Sequence, residues 1–138
     1  SIKYKVYDDI LIGKISSAGK LEWDKVLELV QTEKIKSKSN KRDTSTFTCF
    51  LNNRVNIFMN GFINMGKDMI IVKQDKRLSK TNFYNINITA LGNIIPRIVF
   101  SNKDSEIIFR AAKMIKYGNH FYNLGQGNMR KQLLKFQL

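Results

Sequence analysis

Apolar and polar positions along this chain change period several times, and period is what separates strand from helix in a sequence. Tyr4 to Ile15 is β-branched and aromatic, which predicts a strand, or a pair of strands broken at Asp8-Asp9. After Ser16-Ser17-Ala18-Gly19 the spacing shifts. Leu21, Trp23, Val26, Leu27 and Val30 recur near i, i+3, i+4 and i+7, predicting an amphipathic helix from Leu21 to Ile35 with Glu22, Asp24, Lys25 and Glu28 on its wet side. Lys34, Lys36, Lys38, Lys41 and Arg42 follow, interleaved with Ser37, Ser39 and Asn40 and without an apolar anchor between Ile35 and Phe47. That stretch reads either as a solvated loop or as a phosphate-contacting arm.

From Thr46 the chain reads as consecutive hairpins. Asn60-Gly61 carries the strongest hairpin signal, because both turn residues tolerate positive φ, and Asn52-Asn53 is a weaker version of it. Two-residue turns at both places pair Leu51 with Arg54, Cys49 with Asn56 and Phe47 with Phe58, and then Phe58 with Ile63 and Asn56 with Met65. Met69 to Lys73 is a further strand. A basic loop from Lys73 to Lys80, with Lys76 and Arg77, leads to Phe83–Ala90, where Ile86, Ile88 and Ala90 point one way and Asn85, Asn87 and Thr89 the other. Pro96 marks Ile95–Phe100 as an edge strand or a strand start. A second helix is predicted from Asn102 to Tyr117, with Ser101 and Asp104 as a capping-box-like start, Ile108, Ala111, Ala112 and Ile115 as its buried stripe and Gly118 at its end. Residues 118–138 form a basic tail that holds a short helix with Met129, Leu133 and Phe136 on one side.

The pattern therefore predicts one α+β domain over residues 1–138. It would be a curved antiparallel sheet of about five to seven strands, with the two main helices, Leu21 to Ile35 and Asn102 to Tyr117, packed on one face.

Composition changes this picture mainly through charge. The 138 residues carry 24 Lys+Arg against 11 Asp+Glu, a formal net charge of +13. Such an excess concentrates polyanions near the surface, and nucleic acid becomes the leading partner. Fourteen Asn and seventeen Ile beside the many Lys point to an AT-rich coding sequence as a second source of that charge. One Cys, Cys49, excludes an internal disulfide framework and implies a reducing, intracellular location. No run is long enough for a membrane span, no targeting segment shows at either end, and an opening Ser1 suggests an excised domain or processed product.

Catalysis has little to work with. A lone His120 and a lone Cys49 leave out the Ser-His-Asp triad and His/Cys metal sites. Asp8 and Asp9 with Asp68 or Asp43 could in principle form a divalent-metal site, but adjacent acids alternate across a strand, so at most one would face the metal. Gly125-Gln126-Gly127-Asn128 lacks the Lys-Ser/Thr of a P-loop. No catalytic residue, metal site or cofactor is expected.

Several short pieces resemble the TATA-binding-protein family. Ile10-Leu11-Ile12-Gly13-Lys14-Ile15-Ser16 followed by Leu21-Glu22-Trp23-Asp24-Lys25-Val26-Leu27-Glu28-Leu29 is similar to the first strand and helix of one of its halves. Val55 to Gly66 resembles its strand hairpin, and Asn85–Asn93, Arg97–Ser101 and Asp104–Tyr117 resemble its strand-strand-helix ending. The pieces lie within residues 10–117, little more than one half-repeat of a family that has two. The resemblance implies a helix-backed saddle sheet on the DNA minor groove, with Phe58 and Phe47 as wedges that unstack base steps. Ala90 departs from the pattern where a second hairpin would place Phe. A single half could dimerise into a saddle, sit within a larger transcription or replication assembly, or bind something other than DNA.

The expected function is non-enzymatic binding of nucleic acid, DNA before RNA. Phe47, Asn56, Phe58, Asn85, Asn87 and Thr89 would meet base edges. Lys34, Lys36, Lys38, Lys41, Arg42, Lys73, Lys76, Arg77 and Lys80 would meet phosphates. Two alternatives come from other classes, a small toxin-like ribonuclease using His120 and a protein-interaction or dimerisation module.

Overall fold

The computed structural model describes residues 3–6, 10–30, 32–35, 46–65, 70–73, 81–103 and 105–138. They form twelve strands: β1 (Lys3–Val6), β2 (Ile10–Ile15), β3 (Leu21–Val30), β4 (Thr32–Ile35), β5 (Phe47–Leu51), β6 (Arg54–Met65), β7 (Ile70–Lys73), β8 (Asn82–Ile88), β9 (Ile94–Ser101), β10 (Met114–Tyr117), β11 (His120–Gln126) and β12 (Lys131–Phe136). Among the described residues there is no α-helix, and Ala111–Lys113 makes a single 3-10 turn. The α+β class is thus corrected to an all-β one.

Both predicted helices fail for an identifiable reason. Residues four apart share a face in a helix and in a strand alike, so Trp23 and Leu27 fit either period. Leu21 and Val26 decide between them, because the helix would bury both and here both are exposed. Leu21–Val30 is instead a strand paired antiparallel with β2, in the register Ile10↔Leu27, Ile12↔Lys25 and Lys14↔Trp23. Glu22, Asp24, Lys25 and Glu28 are poor strand formers, and tertiary pairing overrides that preference. Ser16 and Gly19, with φ 78° at Gly19, close the hairpin, and its arms continue as the antiparallel pair β1-β4. The second predicted helix fails in the same way. Ile107, Phe109 and Ala111 are buried at period two while Ala112 and Ile115 are exposed. Gly118 does take φ 59°, but in the turn of the β10-β11 hairpin and not at a helix end. The tail is strand as well, with β12 antiparallel to β11.

The two hairpin signals exchange roles. The weaker one, Asn52-Asn53, is a turn with φ 54° and 58°, and it sets the predicted register Phe47↔Phe58, Cys49↔Asn56 and Leu51↔Arg54. The stronger one is no turn. Strand β6 runs straight through Asn60-Gly61, and the partners of Phe58 and Asn56 are Asn85 and Asn87 of β8, not Ile63 and Met65. Asn60 serves elsewhere, as described below.

One sheet joins seven strands in the order β2-β3-β7-β6-β8-β9, with β5 also on β6, and β3 against β7 is its parallel pair. Strands β10-β11-β12 form a second sheet. In β6 and β8 alternate residues face opposite ways, and each side has its own core. Ile57, Met59, Ile86 and Ile88 pack with Leu27 of the β2-β3 hairpin, joined by the half-buried Ile10, Ile12 and Trp23. On the opposite side Phe58 and Phe83 pack with Ala111, Met114 and Phe121 of the C-terminal segment. The sequence left one face of the central strands to helices and the other open; in the structure strands cover both.

Candidate functional site

The residues expected to read bases do share a face. Phe47 lies across from Phe58, Phe58 across from Asn85, and Asn56 across from Asn87. That face, however, is interior. Phe58 is 0% exposed, with ring centroids of Phe121, Phe136, Phe83 and Phe47 at 5.1, 5.8, 5.9 and 6.1 Å. A wedge must stand free to enter a base step, whereas this ring lies under the C-terminal sheet. The amides bond one another, although Asn85 Oδ1 is buried without a hydrogen-bond partner. Asn87 and Asn85 donate to Asn56 Oδ1 at 2.9 and 3.4 Å, and Arg54 donates to Asn87 Oδ1 at 3.3 Å. Thr89 lies beyond the end of β8, where its hydroxyl accepts from the Asn93 N–H at 3.1 Å and closes a turn.

Of the expected phosphate contacts, Lys34 lies in β4 across from Tyr4 and Lys73 in β7 across from Phe62. Lys36, Lys38, Lys41, Arg42, Lys76, Arg77 and Lys80 lie outside the described residues, as do Asp8, Asp9, Asp43 and Asp68. Among the described residues no three His, Cys, Asp or Glu side chains gather as metal ligands. Cys49 is half-buried, and burial raises its thiol pKa above the ordinary value despite the opposing pull of the Lys116 ammonium. A thiol held protonated is a poor nucleophile.

Among the described residues seven asparagines are buried, and three of them fix the C-terminal sheet in place. Backbone groups in a connecting segment have no ladder of their own and need other partners when buried. Asn102 accepts from the Phe109 N–H at 3.0 Å and donates to its carbonyl at 3.1 Å, so the side chain acts as a strand neighbour. Asn60 donates to the same carbonyl at 2.8 Å and accepts from the Ala111 N–H at 2.9 Å. Asn123 donates to the Arg110 carbonyl at 2.8 Å. Ile108 exchanges both backbone bonds with Gln126, at 3.0 Å each. Gly125 makes room for this strap, since a Cβ there would come within 2.5 Å of Ile107 and 2.7 Å of Phe109.

Fixed from beneath, β10-β11-β12 turns its other face outward. Burial alternates along β11, with Phe121, Asn123 and Gly125 inside. Cross-strand register then places Tyr117 beside His120, Ile115 and Lys135 either side of Tyr122, Leu124 beside Leu133, and Gln126 beside Lys131 on the outer face. Tyr117 is 79% exposed and Ile115 63%, and the Lys135 ammonium lies 5.9 Å from the centre of the Tyr122 ring. The charge is one-sided. From Ile107 to Leu138 the chain has six cations, Arg110, Lys113, Lys116, Arg130, Lys131 and Lys135, and no Asp or Glu, whereas all 11 acids share residues 1–106 with the other 18 cations.

Sequence reasoning passed over this face. The signal was there, as alternation in His120–Gln126 and as the absence of acids after Glu106, but a helix assigned through Tyr117 and a helix in the tail hid the hairpins that bring Tyr117, Tyr122 and Lys135 together. The segments resembling the helices of a TATA-binding-protein half, Leu21–Leu29 and the described part of Asp104–Tyr117, contain no helix beyond the Ala111–Lys113 turn. Compared with protein-family models, with curated proteins and with solved structures, the chain matches none.

Proposed function

We propose that this protein binds nucleic acid without catalysing a reaction, and that the outer face of β10-β11-β12 is the binding surface. One observation carries the reading: the exposed Tyr117 and the part-buried Tyr122 stand beside Lys131 and Lys135 on an outer sheet face, in a segment without a single acid. Phosphates supply most of the affinity of such contacts through released counterions, and rings beside the cations add contact with bases. The formal charge of +13 supports the same partner by raising the local concentration of polyanions.

Fluorescence anisotropy with labelled oligonucleotides at several salt concentrations tests this. Binding is expected to weaken steeply with salt, and Lys131→Ala with Lys135→Ala is expected to lower the slope of log K against log salt by about 0.7 for each lost phosphate contact on a single strand. The paired control, Lys20→Ala with Lys25→Ala on the exposed N-terminal hairpin, should leave the slope unchanged. No binding to any oligonucleotide at low salt would refute the function, and a slope unaffected at Lys131 and Lys135 would move it to another surface.

A further inference from the structure

Resting on that reading, we infer that the ligand is a single strand whose bases stack on Tyr117 and Tyr122, and that duplex is the poorer partner. The rings select it. A ring standing on the outer face of a three-stranded sheet can offer its π-face only to a base whose own face is free, and a duplex hides those faces inside its stack. Duplex presents mainly phosphate ridges to such a surface, which the lysines can meet but the rings cannot.

Spacing favours the same conclusion. Tyr117 on β10 and Tyr122 on β11 are diagonal neighbours on the outer face, roughly 7–8 Å apart. That is about twice the 3.4 Å step between stacked bases of one DNA strand. Adjacent nucleotides seated one on each ring are unstacked from each other, which a free strand allows and a duplex stack resists. Tyr117, directly across from His120, widens that end of the platform, while Leu124 and Leu133 give it an apolar floor at the other.

The cations lie to one side. Lys135, whose ammonium lies over one face of the Tyr122 ring at 5.9 Å, and Lys131, beside Gln126, both come from β12, four residues or roughly 13 Å apart on the same face. A sugar-phosphate backbone running along β12 would turn its bases inward over β11. The platform is also held ready, because Phe121 and Phe136 stack at 5.5 Å and 20° directly beneath it and Phe121 lies against the buried Phe58. A surface ordered before binding loses little freedom on binding.

The test compares labelled ten-nucleotide single strands of DNA and RNA with a duplex of the same length, at one low salt concentration, for the intact chain and for Tyr117→Ala, Tyr122→Ala and Tyr122→Phe. Single strand is expected to bind at least tenfold tighter than duplex. Each alanine variant should lose about 5- to 100-fold on single strand and leave duplex binding as it was, while Tyr122→Phe keeps the affinity. Both rings stand on the outer face, so the variants should fold, which circular dichroism checks. Preference for either DNA or RNA supports the inference and names the sugar. Duplex binding as tight as single-strand binding, or alanine variants without effect, would overturn it and leave nucleic-acid binding standing; failure of all probes would overturn both.

Discussion

Two outward sheet faces of this molecule look alike in outline and differ in what surrounds them. On the β2-β3 hairpin, Leu11, Ile15, Leu21 and Val26 are all at least half exposed, as are Ile115, Tyr117 and Leu133 on the C-terminal sheet. On the hairpin, however, Lys14 is paired with Glu22 at 2.8 Å, Asp24 lies across from Gly13, and the aromatic residue points inward, with the Trp23 indole N–H donating to the Ala90 carbonyl at 3.0 Å. On the C-terminal sheet the tyrosines point out and the cations have no acid of their own segment to meet. Exposed apolar area alone names no partner. Rim charge and the direction of the rings distinguish the two faces, and only one of them suits a polyanion.

The faces also differ in how they are anchored, and removing each anchor gives the largest expected contrast. Asn60→Ala takes away the partner of the buried Ala111 N–H and one of two donors to the Phe109 carbonyl, and leaves a small void. A loss of about 2–4 kcal/mol is expected from the unsatisfied group and the void together. Trp23→Phe removes one hydrogen bond from a carbonyl that Lys14 also reaches, at 3.3 Å, so about 0.5–1.5 kcal/mol is expected. Urea unfolding of the two variants checks the order, and equal losses would mean that the asparagines do not hold the C-terminal sheet.

A glycine on each sheet sharpens the comparison at a smaller scale. A Cβ on Gly125 would lie 2.5 Å from Ile107 and 2.7 Å from Phe109, inside van der Waals contact, and Gly125→Ala should cost about 1–3 kcal/mol by overpacking. A Cβ on Gly13 would meet Leu21 at 3.5 Å, an ordinary contact, and Gly13→Ala should stay within about 0.5 kcal/mol of the parent. Thermal midpoints distinguish the two, and a harmless Gly125→Ala would show that the strap over Ile107 and Phe109 is looser than its hydrogen bonds indicate.

How far the sequence could be read follows from which residues carried unambiguous information. Asn52-Asn53 fixed a turn and, through the period of two, the register of Phe47, Cys49 and Leu51 against β6. Strands at Ile70–Lys73, Asn82–Ile88 and Ile94–Ser101 were legible from β-branched residues and alternation. Trp23 and Leu27 were not, because their spacing fits both periods. Asn60-Gly61 misled for a different reason. Its hairpin preference is local, while Asn60 is held in a straight strand by partners 49 and 51 residues away. The expected base-reading face failed on burial: amides and phenyl rings on one sheet face look the same in sequence whether they meet a ligand or a second sheet. No local pattern in Phe58 or Asn85 announces that Phe121 and Phe136 will cover them.

The smallest effect concerns Glu106, an acid beside the C-terminal sheet. Glu106 reaches Arg130 at 3.7 Å with both side chains largely exposed, a weaker contact than Lys14–Glu22 on the other face. An exposed pair at that distance is worth little to folding, so Glu106→Gln should leave the thermal midpoint unchanged. Its effect on binding has the opposite weight. Arg130 immediately precedes β12 and adjoins Lys131 in the chain, and losing the neighbouring carboxylate frees a cation and removes a charge that repels phosphate. Affinity for a single-stranded oligonucleotide is expected to rise about twofold at low salt and to return to the parent value as salt screens the difference over the Debye length of about 8–10 Å. Glu22→Gln, which frees Lys14 on the hairpin, should not change that affinity. A rise from Glu22→Gln and none from Glu106→Gln would place the polyanion on the other face and reverse the comparison.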